Sequence, residues 1–141
     1  MNIKSYTDIE QRRKLAEILP LESADMYYDG FGRLPQGYAY TLISPNSFEY
    51  DKPCWSLAAL MNLLPSEFTE KGKYSETTYK IDIRKYALTE GVDLYQIAYG
   101  NYKFHEDGNS SWKDMINTGE KENLIDAVFQ MICWLKENNK L

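Results

Sequence analysis

Apolar residues recur at helical spacing in the C-terminal stretch from Asn123 to Asn138. At roughly 100° per residue, one broad side of this helix is apolar and a narrow opposite stripe is polar, so we expect it to be mostly buried. Asn123 is the expected N-cap, because its side chain can accept a hydrogen bond from a free amide at a helix start. The apolar side holds Leu124, Ile125, Val128, Met131, Ile132 and Leu135, and the polar stripe holds Asp126, Gln130, Cys133 and Glu137.

A first helix is predicted from Asp8 to Leu19, where apolar residues form a narrow stripe. Thr7 and Glu10 have the spacing of a capping box, in which two side chains satisfy backbone amides at a helix start. Pro20 ends the helix, because proline lacks the amide hydrogen and clashes with the preceding turn. The stretch that follows, up to Gly37, is rich in glycine and proline and predicts turns.

A second helix is predicted within the stretch from Cys54 to Pro65, with Ser56 as its N-cap. Leucine and methionine side chains recur there at the i, i+3, i+4 and i+7 positions that form one buried face. The polar run from Ser66 to Glu76 then separates the two halves of the chain. The buried face is formed by Leu57, Leu60, Met61 and Leu64.

Alternation of apolar and polar residues predicts two strands, from Thr77 to Tyr86 and from Asp93 to Phe104. The short segment between them contains Gly91, so we expect an antiparallel hairpin with one wet face. A further strand is predicted from Gly37 to Ser44, where residues of high β propensity are frequent. The stretch from His105 to Glu122 is predicted to be a loop, with room for one helical turn or a short third strand near Trp112 to Ile116.

These elements predict a single α+β domain that spans residues 1–141. A small antiparallel sheet, made of the hairpin with or without a third strand, is covered on one face by two or three helices. An isolated hairpin is marginally stable in water, so its apolar face must rest on helices. We expect the C-terminal helix to be the lid of the sheet.

The chain is acidic, with a formal net charge of −5 and a pI near 4.9. Nucleic-acid affinity comes largely from lysine and arginine side chains that neutralise phosphates, so this charge argues against a nucleic-acid binder. The basic run Arg12-Arg13-Lys14 is short and is typical of a solvated helix face. The N-terminus lacks the apolar core of a signal peptide and no segment is suited to span a membrane, so we expect a cytoplasmic protein.

Nothing in the sequence predicts an active site or a cofactor. His105 is the only histidine, and no serine lies in a nucleophile-elbow motif, so a Ser-His-Asp arrangement has no support. Cys54 and Cys133 lie among apolar residues, which raise the pKa of a thiol and make it unreactive. We expect both cysteines to be reduced and the chain to be non-enzymatic.

Two groups of acidic residues nevertheless suggest oxygen ligands for a metal ion. The predicted loop around His105 carries two acidic neighbours, and Glu22, Asp25 and Asp29 would share a face if their stretch were helical. A solvated turn explains the first group, and turns or capping explain the second, so no metal ligand is assigned. A small metal-dependent enzyme or small-ligand binder is the alternative function.

Tyrosine is unusually frequent, with 12 residues against five phenylalanines and three tryptophans. Its ring packs while its hydroxyl forms hydrogen bonds, so it suits half-buried strands and recognition surfaces alike. An aromatic cluster in the first third of the chain is the predicted partner contact, although core packing accounts for it more simply. The cluster consists of Met26, Tyr27, Tyr28, Phe31, Tyr38 and Tyr40.

Three short pieces of sequence suggest relatives. They are Ala24-Asp25-Met26-Tyr27, Pro53-Cys54-Trp55-Ser56-Leu57, and Asp126-Ala127 followed by Met131 and Trp134-Leu135. With these pieces the chain resembles a group of small proteins that are common in gut anaerobes and their phages or prophages. The group has no assigned activity, so the resemblance carries over no site residues. It implies a cytoplasmic accessory protein borne by a mobile element.

The sequence therefore favours a non-enzymatic protein-interaction module of a phage-type accessory system, with an unidentified protein as its partner. Whether the chain also forms a homo-oligomer stays open. A further alternative is an acidic inhibitor that mimics nucleic acid. It would need a continuous surface stripe of carboxylates, whereas the acidic residues of this chain are interleaved with lysines.

Overall fold

The computed structural model describes residues 4–28, 36–37, 52–88 and 91–141. The chain divides into two compact units, Met1–Leu63 and Leu64–Leu141. Both units combine α-helix with antiparallel strands, so the predicted α+β class is confirmed. The assignment to a single domain stays a prediction.

The first unit contains α-helices and a small antiparallel sheet within its described residues. In chain order the elements are α1 (Ile9–Ile18), a 3-10 turn (Leu21–Ser23), β1 (Met26–Tyr28), β2 (Gln36–Gly37), β3 (Lys52–Cys54) and α2 (Leu57–Leu63). Strand β1 pairs with both β2 and β3, so it lies at the centre of this sheet. The prediction of turns is wrong over β1, and the predicted strand from Gly37 to Ser44 lies outside the described residues except for Gly37.

The predicted α1 is confirmed, but its capping box lies one residue later than expected. Asp8 is the N-cap and accepts a hydrogen bond of 2.8 Å from the Gln11 amide, while the Gln11 side chain accepts one of 3.1 Å from the Asp8 amide. Thr7 cannot be the cap, because it is fully buried and its hydroxyl accepts from the Trp55 amide at 3.1 Å. The predicted pairing of Thr7 with Glu10 is therefore wrong. The local sequence pattern does not show that Thr7 belongs to the core.

The start of α2 is held by Ser56, as predicted. The Ser56 hydroxyl accepts a hydrogen bond of 3.1 Å from the Ala59 amide, and the Asp25 carboxylate accepts hydrogen bonds from both the amide and the hydroxyl of Ser56. Asp25 thereby joins the segment before β1 to the helix. Of the predicted apolar face of α2, Leu60 is fully buried, whereas its other members are half-buried.

The second unit consists of a four-stranded antiparallel sheet and one long helix within its described residues. Its elements are β4 (Glu67–Lys71), β5 (Glu76–Ala87), β6 (Asp93–Phe104), β7 (Ser110–Asn117) and α3 (Leu124–Glu137). The strands lie in the order β4-β5-β6-β7, so each pairs with its neighbour along the chain. The predicted hairpin of β5 and β6 is confirmed, and the stretch around Trp112 is a strand and not a helical turn.

The polar run before β5 contains a strand that the sequence did not predict. Strand β4 pairs with β5 from Glu67↔Lys80 to Lys71↔Glu76. It has a single buried aromatic side chain, Phe68, and its other residues are polar, with only Thr69 among them of high β propensity. Alternation was therefore too weak to detect, although Phe68 contacts three aromatic rings of the core, those of Tyr79, Tyr99 and Trp134.

Helix α3 packs against β6 and buries the apolar side that the sequence predicts. Ile125, Val128, Ile132 and Leu135 are fully inaccessible to solvent. Asn123 is the N-cap by backbone geometry, but its side chain makes no capping hydrogen bond. Since α1 and α2 belong to the first unit, the expected coverage of one sheet face by two or three helices stays a prediction.

Leu135→Ala tests whether α3 is essential to the second unit. We expect the variant to lose about 2–5 kcal/mol of unfolding free energy, because the removed methyl groups leave a cavity in a packed core. Urea unfolding followed by circular dichroism measures the loss. Gln130→Ala changes an exposed residue of the same helix and should differ from the wild type by less than about 0.5 kcal/mol. A loss below about 1 kcal/mol for Leu135→Ala would contradict the packing of α3.

Candidate binding face

Side chains of the four-stranded sheet alternate between two faces. Tyr99 of β6 lies on the side of α3, because its ring contacts Phe68, which in turn contacts Trp134 of the helix. Residues of β6 with even numbers point the opposite way, together with their partners on β5 and β7. We name this second surface the open face; it carries Asp82, Arg84, Tyr86, Gln96, Ala98, Gly100, Tyr102, Phe104, Trp112 and Asp114.

A bidentate ion pair crosses the middle of the open face. The Arg84 guanidinium of β5 donates two hydrogen bonds to the Asp114 carboxylate of β7, one of them 2.9 Å long. To do so the side chain passes over β6, where Ala98 is the buried residue between them in the register. Arg84 also donates to Asp82 at 2.7 Å through Nε. The pair therefore ties three neighbouring strands together through one planar group.

The charges of this pair stabilise each other. Hydrogen bonding to Arg84 lowers the pKa of the Asp114 carboxyl, and hydrogen bonding to Asp114 raises the pKa of the Arg84 guanidinium. The indole nitrogen of Trp112 donates to Asp114 at 2.7 Å, and the Asn117 amide donates to it at 3.3 Å. The carboxylate thus accepts bonds from three side chains and holds each of them in place.

Gly100 allows two strands to approach closely next to this ion pair. A Cβ atom at position 100 would lie 2.2 Å from the Lys113 carbonyl oxygen and 3.0 Å from the Trp112 ring. The approach coincides with a β-bulge, since Tyr99 pairs with Ile116 but Gly100 pairs with Asp114. The bulge leaves one extra residue in β7 and brings Asp114 and Trp112 onto the open face.

Aromatic side chains surround the ion pair and reach the solvent. Phe104 is 85% exposed and Tyr102 is 62% exposed, and the Tyr102 ring meets the edge of Trp112 with centroids 5.4 Å apart. At the other end of the face, the Tyr86 hydroxyl donates to Gln96 at 3.2 Å while 40% of Tyr86 is exposed. The open face therefore presents aromatic surface on a strand framework that is held by polar bonds.

The predicted aromatic contact lies elsewhere, in the first unit. Met26 and Tyr27 of β1 are half-buried, whereas Tyr28 is buried and its hydroxyl donates to the Thr7 carbonyl at 2.7 Å. Burial raises the pKa of Tyr28 to about 12, because the desolvated phenol loses its proton less readily. Phe31, Tyr38 and Tyr40 lie outside the described residues. The structure thus uses Tyr28 in the core and leaves the partner contact of this cluster a prediction.

The two candidate metal sites have other roles where they are described. Both oxygens of the Asp25 carboxylate bind Ser56, Glu22 lies in the exposed 3-10 turn, and Asp29 lies outside the described residues. His105 is exposed in the turn between β6 and β7, where its Nε2 lies 2.6 Å from the Ser111 hydroxyl. Within the described part of the chain, no three histidine, cysteine or acidic residues are close enough to hold a metal ion.

Both cysteines are free thiols, and Cys54 is fully buried. Burial raises the pKa of the Cys54 thiol, as the apolar neighbours in the sequence predict. Its sulfur lies 3.3 Å from the Thr7 hydroxyl, in the core of the first unit. Cys133 is half-buried on α3, at the edge of the polar stripe. A protonated, enclosed thiol such as Cys54 is a packing residue and not a nucleophile.

The open face was not predicted, although β6 contains a signal for it. Tyr95, Ile97 and Tyr99 occupy one face of β6, whereas the last two aromatic residues, Tyr102 and Phe104, occupy the other. This change of phase at Gly100 places aromatic rings on the face that was expected to be wet. Nothing in the local pattern indicates that Arg84 and Asp114 meet, because that contact depends on the register of three strands.

No protein-family model, curated protein or solved structure matches this chain. Among the helices of the described residues, none is both long and apolar enough to cross a membrane. The function is therefore inferred from the chain's own surface: the composition of the open face, the bonds that hold it, and the exposure of its side chains.

Asp114→Asn tests the ion pair through its pH dependence. The folded state lowers the pKa of Asp114, so the pair contributes stability above the carboxyl's unfolded pKa of about 3.9 and loses it as the pH falls through the folded value. We expect the variant to be less stable than the wild type at about pH 6 and the difference to shrink towards about pH 2. Thermal unfolding across this range measures it.

The matched control for this prediction is the same substitution in an Arg84→Gln background. With the guanidinium removed, Asp114→Asn should have a much smaller effect at about pH 6, since the coupling between the two residues is already lost. An equal effect of Asp114→Asn in both backgrounds would show that the pair does not account for the stability of the open face.

Proposed function

We propose that this protein is a non-enzymatic protein-interaction module that binds a partner protein through the open face. The observation that carries this proposal is the exposure of Tyr102 and Phe104 beside Trp112 on the same face of β6 and β7. Large aromatic side chains at a solvent-exposed surface mark interaction sites, because covering them removes apolar area from water. The fold gives these rings no other use that the described residues reveal.

The composition of the open face supports a protein partner. Tyrosine, tryptophan, phenylalanine and arginine are the residues enriched at the centres of protein interfaces, and all four occur here. Asp82 and Asp114 both pair with Arg84, so the guanidinium at the centre of the face is already engaged and the cluster keeps one net negative charge. A partner with a flat, mainly apolar contact surface and polar groups at its rim fits this arrangement.

The rigidity of the open face supports the same proposal. Binding costs free energy when mobile side chains must be ordered, and a surface that is already ordered avoids part of that cost. Trp112 is fixed by its hydrogen bond to Asp114 and by the close approach of the backbone at Gly100. Tyr102 packs against the edge of this fixed indole, so the central aromatic pair is ordered before a partner arrives.

The biological setting of the proposal comes from the sequence resemblance. Segments such as Pro53 to Leu57 resemble a group of small proteins of gut anaerobes and their phages or prophages, which implies an accessory protein in the cytoplasm of such a host. The partner would then be a protein of the host or of the mobile element. This setting makes a host lysate the appropriate source from which to isolate the partner.

A double substitution of Tyr102 and Phe104 by alanine tests the proposed function. We expect proteins that the wild type retains from host lysate to be lost with this variant, because the exposed rings supply the central contact. Once a partner is identified, its dissociation constant should rise at least about thirtyfold, as for an interface hot spot. Pull-down with mass spectrometry, followed by calorimetry, provides both measurements.

Tyr74→Ala is the matched control, because Tyr74 is 90% exposed and lies in the turn between β4 and β5, outside the open face. It removes an exposed tyrosine ring without changing the proposed surface, so it should retain the same proteins as the wild type. Equal retention by the double variant and by Tyr74→Ala, with both proteins folded by circular dichroism, would overturn the proposed binding face.

A further inference from the structure

The four-stranded sheet divides into two arms at one end. Strands β5 and β6 pair from Ala87↔Asp93 only as far as Lys80↔Gly100. Beyond that point β5 continues in pairing with β4, and β6 continues in pairing with β7. The two hairpin arms therefore separate, and we name the space between them the fork. It encloses a depression of about 480 Å³, lined by Thr77, Tyr79, Asn101, Lys103, Lys113, Asp114 and Met115.

Two lysines of the β6–β7 arm lie side by side in the fork. Lys113 pairs with Asn101, and Lys103 is two residues further along β6, so the two side chains are diagonal neighbours on one face. Contact with Lys113 lowers the pKa of Lys103, because each ammonium disfavours the charge of the other. Within the described residues, neither lysine forms an ion pair with a carboxylate.

Neutral polar groups also point to the fork without intramolecular partners. Among the described side chains, the hydroxyls of Thr77 and Tyr79 and the amide of Asn101 form no hydrogen bond within the chain. On the open face, by contrast, Arg84 and Asp114 are fully engaged with each other and their neighbours. Asp114, the carboxylate that lines the fork, is thus already paired with Arg84. The donors that remain in the fork lie beside the positive charges of Lys103 and Lys113.

We propose that the fork is a binding site for a small organic phosphate that carries a planar ring. Two adjacent ammonium groups match the charge of a phosphate monoester, which is about −1.5 to −2 at neutral pH, better than the single charge of a carboxylate. Lys103 and Lys113 contact the phosphate, and Asn101 and Thr77 donate hydrogen bonds to it or to the adjoining polar atoms. The ring of Tyr79 and the side chain of Met115 form the apolar wall for the planar group.

The size of the fork agrees with such a ligand. Pockets for small molecules span roughly 300–1,000 Å³, and a few polar groups on otherwise apolar walls determine their specificity. The fork has a volume in this range, but its lining is more polar than that of such pockets, because five of its seven lining residues carry polar or charged side chains. A long nucleic acid fits less well, because the chain has a net charge of −5 and would repel phosphates outside the fork.

Calorimetry with the full chain tests the site, using AMP and phenyl phosphate as probes and adenosine and inorganic phosphate as partial ligands. We expect both probes to bind, and adenosine and inorganic phosphate each to bind at least about tenfold more weakly than AMP. Lys103→Gln and Lys113→Gln should each weaken AMP binding at least about tenfold, which corresponds to one charge-assisted hydrogen bond. No binding of either probe at millimolar concentration would overturn the proposal.

Three controls distinguish AMP binding in the fork from binding elsewhere on the chain and from loss of the fold. Lys136→Gln removes an equal charge from the exposed surface of α3 and should leave AMP binding unchanged. The fork variants should melt no lower than the wild type, because each removes a repulsion between like charges. The Tyr102→Ala and Phe104→Ala double variant should bind AMP as tightly as the wild type. The proposal for the fork is thereby tested separately from the proposal for the open face.

Two outcomes would assign the lysines a different role. If Lys136→Gln weakens AMP binding as much as the fork variants, the affinity comes from general charge and the site is wrong. If a short single-stranded oligonucleotide binds through Lys103 and Lys113 more tightly than AMP, the phosphate belongs to a nucleic acid and the small-molecule proposal is overturned.

Discussion

The ion pair between Arg84 and Asp114 limits which residues β6 can carry at the point where the guanidinium crosses it. A guanidinium can cross β6 only where the side chains beneath it are small, and Ala98 and Gly100 meet that requirement. The same small residues let the Trp112 ring settle close to the backbone, where its indole nitrogen reaches the carboxylate. The ion pair, the small residues beneath it and the Trp112 indole therefore depend on one another. A larger side chain at position 100 would disturb all three.

The same constraint separates two surfaces that have different chemistry. On the open face the polar groups satisfy one another, so what remains for a partner is aromatic area on a fixed frame. In the fork the strands part, and the polar groups of Asn101, Lys103 and Lys113 find no partner among the described residues. If the two proposals hold, apolar burial dominates association at the open face, and charge neutralisation dominates it at the fork.

Periodicity predicted those elements in which burial is one-sided and long. Helix α3 follows this rule, because its buried positions repeat at the helical spacing. Strands β5 and β6 were predicted from their alternating residue types, although four consecutive residues of β6, Ile97 to Gly100, are buried. Strand β4 was not predicted, because Phe68 is its only buried residue and a single residue gives no periodic pattern. The cap at Thr7 was wrong because a contact with Trp55, far along the chain, takes its hydroxyl. The open face and the fork depend on strand register, which local sequence does not encode.

The bond between Thr7 and Trp55 also bears on the order in which the units fold. It joins residues 48 positions apart, so the core of the first unit forms only after a long loop closes. In the second unit each strand pairs with its neighbour along the chain, so most contacts are local. Topologies rich in local contacts fold faster than those that depend on distant ones. We therefore expect the sheet of the second unit to form before the contact between Thr7 and Trp55 closes the core of the first unit.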